Sequence, residues 1–204
     1  MSKMRTALAV CTISIICLAG VGVWVIFFRY PSTLALGQTP IISLPLNDFS
    51  HNSFIQGFGQ IHTDYYHDGF DFGVNDTTVF VAVFSAYIAD VKSNWYNERG
   101  GHWQTNVQLW INPQWEVEMA FESWALNETY GALQASAITV VRGQYVAANQ
   151  SLGSLLAHGD HAHVHFAVRS WGNGLCPYYY FKDSAKALFA AQFVLVNITA
   201  GWDM

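Results

Sequence analysis

The sequence predicts a mainly β domain with an antiparallel sheet as its core, preceded by a transmembrane helix and followed by a short helical tail. Three observations support this prediction. The middle of the chain holds short runs of β-branched and aromatic residues separated by turn signals, which is typical of a barrel-like or sandwich-like antiparallel sheet. Residues 6–28 form an apolar run without charge, and residues 183–194 show a helical pattern that Asp183 or Ser184 could cap.

The N-terminal apolar run is long enough to cross a membrane as a helix. It contains 23 uncharged residues from Thr6 to Phe28, enough for a helix to span the roughly 30 Å hydrocarbon core of a membrane. Lys3 and Arg5 precede it, so residues 1–5 are predicted to be a cytoplasmic tip. A cleaved signal peptide is the alternative, but its apolar core would be about 7–15 residues long, with small residues at a cleavage site. The prediction is therefore a single-pass membrane protein whose C-terminal domain is extracytoplasmic.

The rest of the chain divides into a linker, a domain and an extension. Prolines at 31, 40 and 45 interrupt residues 29–46, which we interpret as a linker. The β domain is predicted over residues 47–175, and the C-terminal extension over residues 176–204. Strands are predicted within 77–91, 107–111, 115–121 and 162–168, with a tight turn at 142–144 between the runs 138–141 and 145–147.

Charge and cysteine content exclude several classes of protein. Past residue 29 the chain has six basic and 14 acidic residues, a formal net charge of −8, and no basic stripe. Nucleic acid is therefore not expected as a partner. Cys176 is the only cysteine outside the apolar run. An intradomain disulfide and a cysteine-rich zinc site are both excluded as a result.

Two clusters of histidine and carboxylate side chains predict a metal site. His161, His163 and His165 alternate with apolar residues, so in a strand they would share one face while their neighbours enter the core. His67 and Asp71 lie four residues apart, with a glycine between them that lets the backbone bend. Two imidazoles and one carboxylate leave a fourth position for water, as in catalytic zinc sites.

The other histidines have weaker context. Surface or turn positions are expected for His51, His62 and His102, whereas His158 and His161 either support the ligands or are bystanders. The same two-histidine, one-carboxylate set would also suit a β protein with oxidative metal chemistry, so that class stays open.

The order of the motifs resembles that of the LytM-type, or lysostaphin-like, zinc endopeptidases, which cleave peptide cross-links in bacterial peptidoglycan. The matching pieces, in the family's order, are Phe58-Gly59, His67-Asp68-Gly69-Phe70-Asp71, Val79-Phe80-Val81-Ala82, Ala86–Val91, Gly143–Val146, Leu152-Gly153 and His163–Val168. The resemblance implies the lysostaphin-like fold and one Zn²⁺ held by His67, Asp71 and His165. It also implies that His163 acts as a base beside the metal.

One histidine of the family pattern is missing. The Tyr-x-His-Leu-Ser segment falls at residues 121–125, where Glu122 or Ser123 takes the place of the histidine, depending on a one-residue shift. Loss of such a preorganised donor typically costs about 10²–10³ in rate. Glu122, His161 or His102 could substitute for it.

Two functions therefore stay open besides the oxidative class. One is a membrane-anchored zinc metalloendopeptidase that acts on cell-wall peptidoglycan or other extracellular peptides. The other is a metal-containing module of weak or no activity that binds the wall or a partner. The intact ligand set favours the first, and the missing histidine favours the second.

Overall fold

The computed structural model describes residues 30–196, without the side chains of His62 and of residues 192–196. The predicted cytoplasmic tip and transmembrane segment, residues 1–28, lie outside that range, as does the end of the predicted extension. Within residues 30–196, no helix combines the length and the apolar character needed to cross a membrane. The described residues from Ser32 onward belong to one compact unit.

The described unit is mainly β. Its strands are β1 (Asn52–Gln56), β2 (Gly59–His62), β3 (Tyr65–His67), β4 (Phe70–Val74), β5 (Thr78–Val81), β6 (Ala86–Asn97), β7 (His102–Trp110), β8 (Trp115–Ala125), β9 (Tyr145–Val146), β10 (Ser151–Leu155), β11 (His163–Ser170) and β12 (Asn173–Leu175). Its α-helices are α1 (Glu128–Ser136) and α2 (Asp183–Val196). Short 3₁₀ turns cover Phe49–His51 and Pro177–Tyr180.

The main sheet has the strand order β1-β4-β11-β8-β7-β6-β9, with β12 paired to β11. Each of these pairs is antiparallel. The remaining strands form two small antiparallel sheets, one of β5 and β10 and the other of β2 and β3. The predicted mainly β, antiparallel class is confirmed.

One face of the main sheet packs on an aromatic core. Its central rings belong to Phe70, Phe72, Phe166, Phe181 and Phe189, all 2% exposed or less, with ring centroids 5.0–6.3 Å apart. Each such buried side chain stabilises the fold by roughly 1.5–3 kcal/mol. Two of these rings, Phe181 and Phe189, come from the predicted C-terminal extension, which therefore packs as part of the domain.

The segment predicted to be a linker, residues 29–46, also packs against the domain where the structure describes it. Ile42 and Leu46 are buried in the core. The Ile42 amide donates to Tyr180 O over 2.8 Å, and the Val81 amide donates to Pro45 O over 2.8 Å. The prolines predicted a linker that joins the domain from outside. Instead, the apolar side chains of this segment pack into the core of the domain. Residues 47 and 175 therefore do not bound the packed unit.

Two local features also differ from the sequence interpretation. The turn at 142–144 forms, but the runs beside it pair elsewhere: β9 pairs with β6, and Ile138 bridges to Gly153. Helix α1 was not anticipated, although Asn127 caps it by accepting a hydrogen bond from the Tyr130 amide. Helix α2 begins at Asp183, the predicted start, and ends two residues beyond the predicted end.

Candidate metal centre

Strand β11 lies between β4 and β8 and brings both histidine clusters to one place. Its register sets His165 opposite Asp71 of β4 and His163 opposite Glu122 of β8. The small side chain of Ala120 faces His165 from the β8 side. These residues lie in a cleft of about 750 Å³ on the sheet face opposite the aromatic core.

The three predicted metal ligands converge on one point. His67 Nε2 lies 3.0 Å from Asp71 Oδ1 and 3.0 Å from His165 Nδ1, and His165 Nδ1 lies 2.9 Å from Asp71 Oδ1. His67 and Asp71 are buried, and His165 is partly buried. The set is the only group of metal-binding geometry found among residues 30–196.

The outer hydrogen bonds of the two histidines fix which ring nitrogens face inward. His67 Nδ1 lies 2.6 Å from the carbonyl oxygen of Gly57, so it carries the proton and leaves Nε2 with a lone pair. His165 Nε2 lies 3.3 Å from Asp68 Oδ1, so Nε2 is the donor to Asp68, and Nδ1 would offer a lone pair once a cation displaces the proton that it shares with Asp71. Partners of this kind orient histidine ligands in metal sites.

This donor set fits zinc. Two imidazole nitrogens and one carboxylate oxygen lie within about 3 Å of one another. One shared proton can bridge only two of these three atoms, whereas one metal ion can bind all three. Ligand atoms around a tetrahedral zinc with bonds of about 2.0–2.2 Å are roughly 3.3 Å apart, close to the 2.9–3.0 Å found here. His67, Asp71 and His165 would hold the ion.

The carboxylates and His165 shift one another's protonation. Burial raises the pKa of Asp71, but hydrogen bonds with His165 and His67 outweigh burial and hold that pKa well below its usual range. The hydrogen bond with His165 lowers the pKa of Asp68 to about 2. Burial lowers the pKa of His165, but the two carboxylates outweigh it and raise that pKa to about 10. Such a negative environment is one that a bound cation would neutralise.

A glycine lets the backbone pass directly under the site. A Cβ atom on Gly69 would lie 2.6 Å from Phe166 O and 2.7 Å from His165 Cε1. Only glycine fits at position 69, because the chain just before β4 approaches β11 closely there. The sequence had suggested such a close approach.

The predicted catalytic residues divide between the two faces of the sheet. His163 Nε2 points into the cleft, 3.5 Å from Glu122 Oε2 and 3.7 Å from Asp71 Oδ1. His163 Nδ1 lies 2.6 Å from His161 O, so Nε2 carries the lone pair. Ser123 is completely buried on the other side of β8, since adjacent strand residues point to opposite faces. Of these two candidates, only Glu122 lines the cleft.

Two other histidines differ from expectation. His161 precedes β11, so it is exposed in a turn rather than aligned with His163 and His165. His102, expected at a surface or turn, is buried in the cleft with Nε2 2.8 Å from Glu122 Oε2. Alternation along β7 places His102 on the same face as Gln104 and Asn106, but its partner depends on the pairing of β7 with β8.

A row of hydrogen-bonded side chains forms the cleft floor. Asn97 donates to Gln104 over 2.7 Å, Gln104 donates to Asn106 over 2.7 Å, and Asn106 donates to Glu118 Oε1 over 2.6 Å. Arg169 Nη2 lies 3.0 Å from Glu118 Oε2. The amides are fixed in orientation. The oxygens of Asn97 and Asn106 each accept two hydrogen bonds, so these two amides have a second N–H, but no further lone pair, for a ligand.

Fold and site together define a β domain with the fold of the LytM-type peptidases and a His–Asp–His cluster of metal-binding geometry. No protein-family model matches the chain, and no curated protein sequence matches it either. The fold predicted from the motifs is confirmed by solved structures.

The chain is similar to a structure described as the SpoIIQ–SpoIIIAH pore-forming complex, with a TM-score of 0.52 and 15% identity over 76% of this chain and 99% of that chain. It is similar to Csd3 of Helicobacter pylori, with a TM-score of 0.51 and 15% identity over 78% of this chain and 44% of that chain. It also matches the antimicrobial peptidase lysostaphin from Staphylococcus simulans, with a TM-score of 0.41 and 18% identity over 73% and 53% of the two chains. At these identities the likeness establishes the fold alone.

Proposed function

We propose that this chain is a zinc metalloendopeptidase that hydrolyses peptide bonds in cell-wall peptidoglycan or other extracellular peptides. The observation that carries the proposal is the convergence of His67 Nε2, Asp71 Oδ1 and His165 Nδ1 within 3.0 Å of one another. Their outer partners direct two lone pairs and one carboxylate at a single point. That arrangement suits a divalent cation with a fourth position left for a reactant.

The chemistry follows from the groups around that point. When bound, zinc would supply Lewis-acid polarisation of the scissile carbonyl and activation of the attacking water. His163 Nε2 carries a lone pair and faces the cleft, so it can take a proton from that water and pass it to the leaving amine. Glu122 and Asp71 lie 3.5 and 3.7 Å from the same nitrogen and would stabilise the imidazolium that forms.

The cleft suits an extended, uncharged peptide. Its floor presents the fixed amides of Gln104 and Asn106, which can pair with peptide groups. The cleft lining has three cationic side chains against five carboxylates. Arg169 contacts Glu118, Lys92 lies 3.5 Å over the ring of Trp95, and Arg99 lies 4.9 Å over the ring of Tyr65. An anionic ligand therefore has little to attract it.

The proposed location is the outer face of a membrane. Residues 6–28 would be the anchor, since they are long, uncharged and preceded by Lys3 and Arg5. The described domain would then be extracytoplasmic, where a wall or extracellular peptide is accessible.

A second candidate is a metal-containing module that binds a partner without hydrolysis. Two observations favour it: a carboxylate, Glu122, in place of the family histidine, and similarity to a structure of a protein–protein complex. In that case zinc would stabilise the fold, and the cleft would bind a partner or the wall without cleaving it.

The deciding experiment is elemental analysis of the full chain, purified without added metal, beside the Asp71→Ala variant. Close to one zinc per chain, lost in the variant, supports the metal site. Incubation of both with peptidoglycan and with cross-bridge peptides then separates the candidates. Zinc-dependent cleavage that disappears in His163→Gln supports the peptidase, whereas bound zinc without cleavage supports the binding module. Absence of zinc from the wild-type chain would overturn both.

A further inference from the structure

Glu122 has an imidazole on each side of its carboxylate. The Oε2 atom lies 2.8 Å from His102 Nε2 on β7 and 3.5 Å from His163 Nε2 on β11. His163 carries its ring proton on Nδ1, directed at the carbonyl oxygen of His161. When the His163 ring is neutral, its Nε2 lone pair therefore faces a carboxylate oxygen, an arrangement that positive charge nearby would stabilise.

The ring of His102 is held in one position from two sides. It stacks on Trp124 with ring centroids 4.5 Å apart and planes inclined by 28°. On another side it packs against Gly100, where an added Cβ would lie 2.3 Å from His102 Cε1 and 2.6 Å from Nδ1. The ring is 1% exposed, so it cannot turn away from Glu122 without disrupting this packing.

The backbone of β8 is distorted to make this contact. The pairing of β7 with β8 shifts between Trp103 and Thr105, whose partners are Ala125 and Phe121. Within this bulge Trp124 has φ of 60°, a left-handed conformation that is strained for a residue other than glycine. Bulges of this kind redirect side chains next to functional sites. Here the bulge carries Glu122 and the Trp124 ring that stacks on His102.

Protonation of His102 would supply the missing positive charge. Burial lowers its pKa, but the contact with Glu122 outweighs burial and raises that pKa. The other groups facing His102 are neutral: the Gly100 backbone, Gln104 and Trp124. Around Glu122, the cleft also contains Tyr65, Asp71 and His163.

We propose that His102 is a positioning residue that fixes the Glu122 carboxylate beside His163, so that Glu122 can stabilise the charge gained by His163 during hydrolysis. This inference rests on the proposed peptidase function. In the step concerned, the attacking water loses a proton to His163 Nε2 while its oxygen bonds to the carbonyl carbon. The C–N bond then breaks, and the same proton passes to the leaving amine nitrogen. Glu122 and His102 exchange no proton in this step.

A double-variant cycle in the zinc-loaded full chain tests the role of His102. We expect His102→Gln to lower kcat roughly 10- to 100-fold, with KM and zinc content unchanged. Glu122→Gln should lower kcat at least as much, and adding His102→Gln to it should cost nothing further, because His102 acts only through Glu122. An equal additional loss in both backgrounds would overturn the proposal.

A matched control is His158→Gln. His158 also stacks on an aromatic ring, that of Tyr130 at 4.8 Å, but it lies outside the cleft lining. Its loss should leave kcat unchanged. If His102→Gln fails to fold, Gly100→Ala is the second variant, since its Cβ would displace the His102 ring and should lower kcat by a similar factor.

A spectroscopic readout separates this proposal from the peptidase function. Histidine ring ¹⁵N signals of the full chain at neutral pH should show both nitrogens of His102 protonated, and one of them unprotonated in Glu122→Gln. A neutral His102 ring in the wild-type chain would overturn the pairing. If the expected signals appear but no peptide is cleaved, the pairing of His102 with Glu122 stands and the hydrolytic function fails.

Discussion

The two ends of the cleft use the same residue types in opposite ways. At the first end, ligand atoms of His67, Asp71 and His165 converge on one point, and the outer nitrogen of each histidine faces a hydrogen-bond acceptor. At the second end, Glu122 lies between His102 and His163, with one imidazole in close contact and the other 3.5 Å away. Charge and proton position, rather than composition, distinguish a site for a cation from a site that handles a proton.

The difference lies in the groups behind each histidine. Gly57 O and Asp68 take the outer protons of His67 and His165, so the inner nitrogens can bind a metal. Behind His102 there is packing against Gly100 and Trp124. The first end should therefore respond to metal removal and the second should not, and four measurements test this contrast.

Chelation should give the largest effect. With free zinc at about 1,000 times Kd, binding stabilises the native state by about 4 kcal/mol. Its removal should lower Tm by on the order of 10 °C in a chain of this size. Removal of zinc should lower the Tm of His102→Gln by the same amount, because this variant leaves the first end intact. It should not lower the Tm of Asp71→Ala. A fall in Asp71→Ala as large as in the wild type would locate the bound metal elsewhere.

Gly69→Ala should have the next largest effect. The added methyl group would overlap Phe166 O and the His165 ring, at a cost of about 1–3 kcal/mol. Thermal melting should show a lower Tm, and zinc titration should show weaker binding. Gly174→Ala is the control, because its Cβ would meet Asp68 at an ordinary 3.7 Å. Equal effects of the two substitutions would contradict the role assigned to Gly69.

Asp68→Asn should weaken zinc binding without removing a ligand. Its carboxylate is 3.3 Å from His165 Nε2, and loss of such a partner typically lowers metal affinity 10- to 100-fold. Competition with a chromogenic chelator measures this change. Asp90→Asn, on the β6 side of the same cleft, should bind zinc with unchanged affinity. A similar loss in both variants would point to general electrostatics rather than to the His165 contact.

The smallest effect concerns acid stability of the metal-free chain. The pKa of Asp68 falls from 3.8 to about 2 on folding, chiefly through the hydrogen bond with His165. Its stabilising contribution is therefore present above pH 4 and is lost as pH falls toward 2. Asp68 is half exposed, so solvent screening keeps the contribution small. Melting curves between pH 5 and 2 should fall less steeply in Asp68→Asn, and an unchanged slope would contradict the assignment.

The first end of the cleft was predictable from sequence because local spacing encodes it. Strand alternation puts His163 and His165 on one face, and the glycine between His67 and Asp71 signals close approach. The second end was not predictable in the same way. Whether His102 meets Glu122 depends on the bulge in β8, which moves Trp124 out of regular pairing, and one sequence does not encode that register.

The outer segments were also hard to read. Ile42, Leu46 and Phe181 pack into the core from stretches with no clear periodicity, so prolines suggested a linker where the chain completes the domain. Helix α1 lacks an apolar stripe: its buried residues are Gly131 and Gln134. The cap at Asn127 was the available signal for that helix.

The position of β11 has a consequence for how the chain folds. This strand inserts between β4 and β8, which precede it by roughly 90 and 40 residues. Until residues 163–170 have been synthesised, β4 and β8 each expose an unpaired edge, and His67 and Asp71 lack their third ligand. Such long-range pairing folds slowly, and open edges favour aggregation. A metal ion at this site would therefore bind only to a completed sheet. Substitutions that delay insertion of β11 should lower the yield of soluble protein more than they lower the stability of the folded chain.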